Sequence, residues 1–335
     1  MMSYGLGYIP DLPDQRDWRH VPPGGAPIQL PPLVDLRTQS YPKPCYNQGS
    51  VNSCTANSVG AMFGFVDRKQ GGSNINPSRR QLYYDARAYD GLQAIDQGAY
   101  IRSALRAITD RGVADESLFP YDVVKINEQP PQNVYEAALN KQALAYLRVD
   151  ITVDAFRACL AESYPFVVGT TLYQNYYDAA TTGRVRMPVG PVIGGHAQMF
   201  VGYSDTERVF IVQGSWGSFG DNGFVYMPYD YAASENFSAD AWTIRSLEEV
   251  VTPPPPPQLV PVITYVSRYK EKKQMVVVDA DNTDLDAALL IDGKRVASGH
   301  DGVFTAKHLG LTAGGHILVV QNGSGAMSRQ HVLTV

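Results

Sequence analysis

Cysteine is scarce in this chain: three among 335 residues, at Cys45, Cys54 and Cys159. A small odd number makes no disulfide framework, and no pair has the short spacing of a zinc site, so no metal is expected. The sequence leaves a single Cys45–Cys159 bridge open. A basic surplus is missing too. With 28 Lys and Arg against 33 Asp and Glu, the formal charge is -5, which argues against a nucleic-acid or anionic-membrane partner. No apolar run approaches the roughly 18 residues of a membrane span. The first residues, MMSYGLGYIPDLPDQRDW, carry neither a basic nor an apolar signal region. The expected locations are therefore the cytoplasm, a virion or a non-classical export route.

What remains is a globular composition, 44% hydrophobic and 18% charged, with length for a large domain plus a small one. The clearest boundary is the run Pro253 to Pro257, where polyproline II makes a semi-rigid spacer. The expected organisation is an extended proline-rich arm over 1–34, a mixed α+β domain over 35–248, a linker over 249–258 and a β module over 259–335. In the module, short β-rich runs (PVITYV, QMVVVD, AALLI, HILVVQ, HVLTV) alternate with turn signals such as Asp292-Gly293. That pattern predicts a small all-β immunoglobulin-like sandwich. Its charge is nearly balanced, and a surface or protein ligand is the expected partner, by analogy with other appended modules.

The stretch NQGSVNSCTAN holds Cys54, which could be a core side chain, half of a bridge or a nucleophile. Downstream, Val59, Met62, Phe63 and Val66 fall at i, i+3, i+4 and i+7, the stripe of a buried helix. Ser53 is a plausible cap and Gly71-Gly72 a stop. Cys54 is then off the stripe and at the helix start, where the positive end of the helix dipole favours a thiolate. Cys159 is the contrast: in a helix capped by Thr152 it lies near Val153, Phe156 and Leu160 and reads as packing. A nucleophilic thiol needs a base, and of six histidines only His196, in GGHAQMFVGY, belongs to the central domain.

Four segments in order resemble the papain family of cysteine peptidases over about residues 30 to 248. Gln48, Gly49, Ser50, Ser53 and Cys54 match its Gln-Gly-x-Cys-Gly-Ser-Cys-Trp pattern, with Val51, Asn52 and Thr55 as departures. Ile95 to Gly98, GGHAQMFVGY and SWGSFGDNGFVYMP match three later blocks. His196 follows Cys54 by 142 residues, within the family's own spacing of about 130–150. The resemblance implies a two-lobe fold, one lobe helical and one β-barrel-like, needing no cofactor and acting on peptides or proteins. It implies that Cys54 and His196 form the thiolate–imidazolium pair, with Gln48 in the oxyanion hole and Trp216 shielding the histidine. Gln97 and Gly98 would line the cleft, and Gly169 and Gly195 would shape a roomy, uncharged second subsite.

One departure bears on mechanism. The family's Asn, which orients the imidazole, is replaced by Gly214, and Gln213 beside it is expected to point to the opposite face of its strand. Two expectations follow: a working peptidase with a weakened third member, or an impaired papain-like pseudoenzyme that binds peptides. A third places the function in the β module instead. The arm could lie in the cleft as an inhibitor or pack on the outside.

Overall fold

The computed structural model describes residues 4–21, 29–39 and 45–247, and strand segments at 262–266, 275–281, 288–292, 294–298, 303–307, 315–321 and 331–334. The proline spacer lies outside the described residues. Contacts divide the chain into two units, Met1–Val250 and Val251–Val335.

In the first unit the strands are β1 (Tyr8–Ile9), β2 (Leu33–Asp35), β3 (Ala99–Tyr100), β4 (Ala143–Val149), β5 (Phe166–Tyr173), β6 (Val192–Ser204), β7 (Val209–Gln213), β8 (Phe224–Pro228) and β9 (Ser238–Leu247). Seven of them form an antiparallel sheet in the order β4-β9-β5-β6-β7-β8, with β2 also on β6. The helices are α1 (Cys54–Lys69), α2 (Arg79–Ala88), α3 (Ile101–Arg111), α4 (Gln132–Ala138) and α5 (Val153–Ala161). The predicted stripe of α1 is buried, but so are Ala56, Ala61 and Phe65 on its other faces. The helix is wedged between the sheet and helices α2 and α3, so it must be apolar nearly all round. Small residues permit the close approach: Ser58 donates its hydroxyl to the Ala197 carbonyl of β6 at 2.9 Å.

Cys54 does begin α1, but Ser53 does not cap it. The Ser53 hydroxyl pairs instead with that of Tyr121 at 2.6 Å, and Tyr121 also donates to the Gln48 carbonyl at 3.1 Å. The Arg79 guanidinium lies between the rings of Tyr46 and Tyr121, 4.0 and 4.2 Å from their centroids, and donates to Asn57 at 3.1 Å. These contacts fasten the loop before α1 to α2. Helix α3 stops at Gly112, whose φ of 71° with an extended ψ is a conformation open to glycine and not to residues with a Cβ,. Thr152 caps α5 through the Ala155 N–H at 3.2 Å. Behind the sheet, Phe156, Phe166, Phe200 and Phe210 pack in mutual contact, with ring centroids 4.6–5.7 Å apart.

The described residues of the second unit form two antiparallel sheets. One orders β10 (Val262–Val266), β11 (Met275–Asp281) and β14 (Val303–Lys307). The other orders β13 (Lys294–Ser298), β12 (Ala288–Ile291), β15 (Gly315–Gln321) and β16 (His331–Thr334). Leu289, Phe304, Leu318 and Val320 are fully buried.

Candidate active site

Helix α1 and strand β6 meet at the two residues singled out by sequence. The Cys54 sulfur accepts the backbone N–H of Ala197 at 3.3 Å, so the thiol sits against the peptide that follows His196. The His196 ring packs on Trp216 with centroids 4.5 Å apart. Both side chains are almost wholly buried. Burial pushes the Cys54 thiol up to about 12 and the His196 imidazole down to about 3, so in this state the neutral thiol and neutral imidazole are favoured. All three cysteines are free and buried, so no Cys45–Cys159 bridge exists.

Gln48 is held on both sides of its amide. Its oxygen accepts the Ser215 hydroxyl, its backbone N–H donates to the Ser215 carbonyl at 2.8 Å, and its NH2 donates to the Val51 carbonyl at 2.8 Å. The same NH2 also reaches the carbonyl oxygen of Leu6 at 3.3 Å. The Cys54 N–H, first in its helix, has no intrahelical acceptor.

Leu6 belongs to the N-terminal arm, which threads the cleft. Tyr4 stacks on Trp216 at 4.7 Å, and the Trp216 indole donates to the Gly5 carbonyl at 2.8 Å. Gly5 N–H donates to Gly49 O at 2.9 Å, Gly7 N–H to Gly195 O at 3.1 Å, and Ala99 N–H to Gly7 O at 2.9 Å. Strand β1 then pairs in parallel with β3. Beyond it the arm does pack on the outside, where Arg102 and Arg148 both donate to Asp17 and His20 lies 3.1 Å from Glu162. One stretch of the arm thus lies along the Cys54 loop and another packs on the outside.

The structure revises several expected roles. The Gly98 N–H donates to the Tyr83 hydroxyl at 3.1 Å, so the backbone offered to the extended chain is that of Ala99. Gly98 instead permits closeness, because a Cβ there would lie 2.1 Å from the Gly7 oxygen. Gln97 is exposed beside it. Gly169 and Gly195 do border one pocket, but Tyr8 fills it, and a Cβ on Gly169 would lie 1.9 Å from the Tyr8 ring. The pocket is not uncharged: the Tyr8 hydroxyl donates to the buried Asp240 carboxylate at 2.5 Å. Strand β9 supplies Asp240 opposite β5, a pairing between segments far apart in sequence that no local pattern announces.

Around Gly214 the space is real. A Cβ there would approach nothing closer than 3.7 Å, and the position borders a cavity lined by Tyr176, His196, Gln198, Trp216 and Phe219. Gln198 follows His196 by two residues on β6 and so shares its face,. Its NH2 donates to the Tyr176 hydroxyl at 2.6 Å. Neither the Gln198 side-chain oxygen nor either ring nitrogen of His196 has a hydrogen-bond partner among the described residues. Sequence reasoning passed over Gln198, although the i, i+2 relation to His196 was a usable signal. Gln213 is buried at the end of β7.

Among the described residues no helix is long and apolar enough to cross a membrane. The family model for papain family cysteine protease matches residues 30–241. An uncharacterized peptidase C1-like protein of Acanthamoeba polyphaga mimivirus is 32% identical over 75% of this chain and 89% of that protein. Papain of Carica papaya is 25% identical over 59% of this chain and 55% of that protein. The crystal structure of xylellain, a cysteine protease from Xylella fastidiosa, is 32% identical, with a TM-score of 0.69 over 73% of this chain and 98% of that one. With a family model over most of the chain and relatives matched to this extent, the chain belongs to the papain family of cysteine proteases.

Proposed function

We propose that the first unit hydrolyses peptide bonds through Cys54 and His196, with Gln48 as oxyanion donor, and that the arm holds it latent. The observation that carries this reading is the Gln48 amide donating to a peptide carbonyl, Leu6 O, in the cleft beside Cys54. A substrate carbonyl in that place would receive the Gln48 NH2 and the Cys54 N–H as its oxygen becomes an oxyanion. Proton transfer from Cys54 to His196 makes the nucleophile. The sulfur attacks the carbonyl carbon, the imidazolium protonates the leaving amine, and water then releases the acyl group with His196 as base.

Latency has a physical cause in the burial of the pair. While the arm covers the cleft, desolvation disfavours both the thiolate and the imidazolium, and departure of the arm returns water to them. The missing Asn is replaced in this reading by a water in the cavity at Gly214, which has room for about one, roughly 10 Å³,. That water would join His196 Nδ1 to the Gln198 oxygen, and Tyr176 fixes the Gln198 amide. We assign the second unit, read as a small immunoglobulin-like sandwich, to binding a surface or protein ligand.

Labelling with an epoxysuccinyl thiol inhibitor tests the peptidase reading. The expected result is modification of Cys54, lost in Cys54→Ala and strongly slowed in His196→Ala. Modification at Cys45 instead, or none even when the arm is displaced, overturns it and favours the pseudoenzyme that Gly214 brings to mind.

A further inference from the structure

The pocket that holds Tyr8 is built around a carboxylate. Asp240 is 1% exposed and stands at a φ of 54°, a left-handed conformation that costs a non-glycine residue energy and persists only where its surroundings enforce it. One carboxylate oxygen accepts Arg148 at 2.8 Å. The other accepts two donors, the Tyr8 hydroxyl at 2.5 Å and the Asp11 N–H at 2.6 Å. Both donors of that second oxygen belong to the arm. When the arm leaves, the oxygen faces the emptied pocket with neither, while Arg148 remains to offset the charge.

A buried carboxylate oxygen stripped of its donors is costly, so whatever side chain enters the pocket is favoured in proportion to the donor it brings. The walls set the shape: Gly169 and Gly195 leave a space that an aromatic ring fills, with ring atoms within 3.0 Å of where a Cβ would stand on either glycine. The charge sets the rest. Asp240 and Arg148 already form a neutral pair, so a lysine or arginine entering the pocket would meet Arg148 with no surplus negative charge to neutralise it. A phenol supplies the donor without adding charge.

Resting on the peptidase reading above, we propose that Asp240 makes this pocket a tyrosine-selecting subsite. The enzyme then acts on peptides and proteins with tyrosine second on the amino side of the cleaved bond, and the arm, in which Tyr8 follows Leu6, fills the subsite with its own tyrosine while running in the direction opposite to such a substrate. A site that hydrogen-bonds a hydroxyl rejects the analogue lacking it far more strongly than an apolar pocket rejects one extra group.

The test uses the full chain carrying Gly5→Ala and Gly7→Ala, substitutions that crowd the arm out of the cleft. Fluorogenic peptides identical except for Tyr, Phe, Leu or Arg at the second position are compared by kcat/KM. The expected preference for Tyr over Phe is about 10- to 100-fold, with Arg no better than Phe. In Asp240→Asn, a residue that tolerates the left-handed backbone, the Tyr/Phe ratio should fall to within about threefold of one. A second readout is free of turnover: the tyrosine peptide should protect Cys54 from the epoxysuccinyl label at lower concentration than the phenylalanine peptide. Labelling and hydrolysis with no tyrosine preference, or a preference that Asp240→Asn leaves intact, overturns the subsite alone. No labelling and no hydrolysis of any peptide overturns the peptidase reading and the subsite with it.

Discussion

Displacing the arm by two methyl groups is the sharpest test of latency, because every changed atom belongs to the arm and none to the candidate site. A Cβ on Gly5 would stand 2.0 Å from the Val51 oxygen, and one on Gly7 2.0 Å from the Asn52 oxygen. Both obstacles are backbone in the loop that leads into Cys54, so neither can rotate away. Gly7 also has a φ of 108°, which alanine avoids. Residues 5–7 are held by six hydrogen bonds: Gly5 N–H to Gly49, Leu6 N–H to Asn52, Gly7 N–H to Gly195, Trp216 to Gly5 O, Gln48 to Leu6 O and Ala99 N–H to Gly7 O. At a net ~1 kcal/mol each they contribute roughly 6 kcal/mol to docking. Losing even half, about 3 kcal/mol, shifts the ratio of docked to released arm by roughly 100-fold. The rate of Cys54 labelling in the full chain, followed by mass spectrometry, should rise in the double variant by about that factor, together with trypsin cleavage of the arm. An unchanged labelling rate alongside a released arm would refute the idea that the arm causes latency.

Three further outcomes are expected. In the arm-displaced background, Gln48→Ala should lower kcat about 100- to 1,000-fold with little change in KM, as steady-state hydrolysis of a fluorogenic peptide will read; a change in KM alone would deny Gln48 its place at the oxyanion. Gly214→Asn should raise kcat by about tenfold if the side-chain amide restores one well-oriented hydrogen bond to His196, and an unchanged kcat would mean that the imidazole was already held. Docking of the arm should also depend on pH. Burial first, and then Asp240, raises the Asp11 carboxyl to about 7 from its free value of 3.8, so docking takes up a proton. This contribution is complete below about pH 4 and is lost as pH rises through 7. His20 opposes it: burial and then Arg245 hold its imidazole below the free value of 6.5, so its contribution is lost on acidification. Arm cleavage by a protease should become easier from pH 5 to 7.5 in the parent chain, and Asp11→Asn should flatten that rise.

Much of the candidate site was legible because its signals are local. A cysteine just ahead of an apolar 3.6-residue stripe reads as a helix start, and α1 begins at Cys54. His196 is the one histidine between the arm and the proline run, and the Thr152 cap acts within one helical turn. The misreadings share a different cause. Ser53 has the chemistry of a cap, but a hydroxyl 68 residues away competes for it. Gly169 and Gly195 suggested an empty, neutral subsite because a glycine reveals space and says nothing of what lies at its far end.

By itself the sequence singled out Cys54, His196 and Gln48 as the candidate nucleophile, base and oxyanion amide and showed the absence of a side chain at Gly214, since each is a property of a residue and its near neighbours. Only the tertiary structure decided which stretch of the arm enters the cleft, that Tyr8 meets Asp240 across 232 residues, and that Gln198 and Tyr176 border the space beside His196. Those are contacts between strands and segments that meet only when the sheet is assembled. Their chemistry is that of ordinary tyrosine, aspartate and glutamine until folding buries them together and leaves each dependent on the hydrogen bonds of the others.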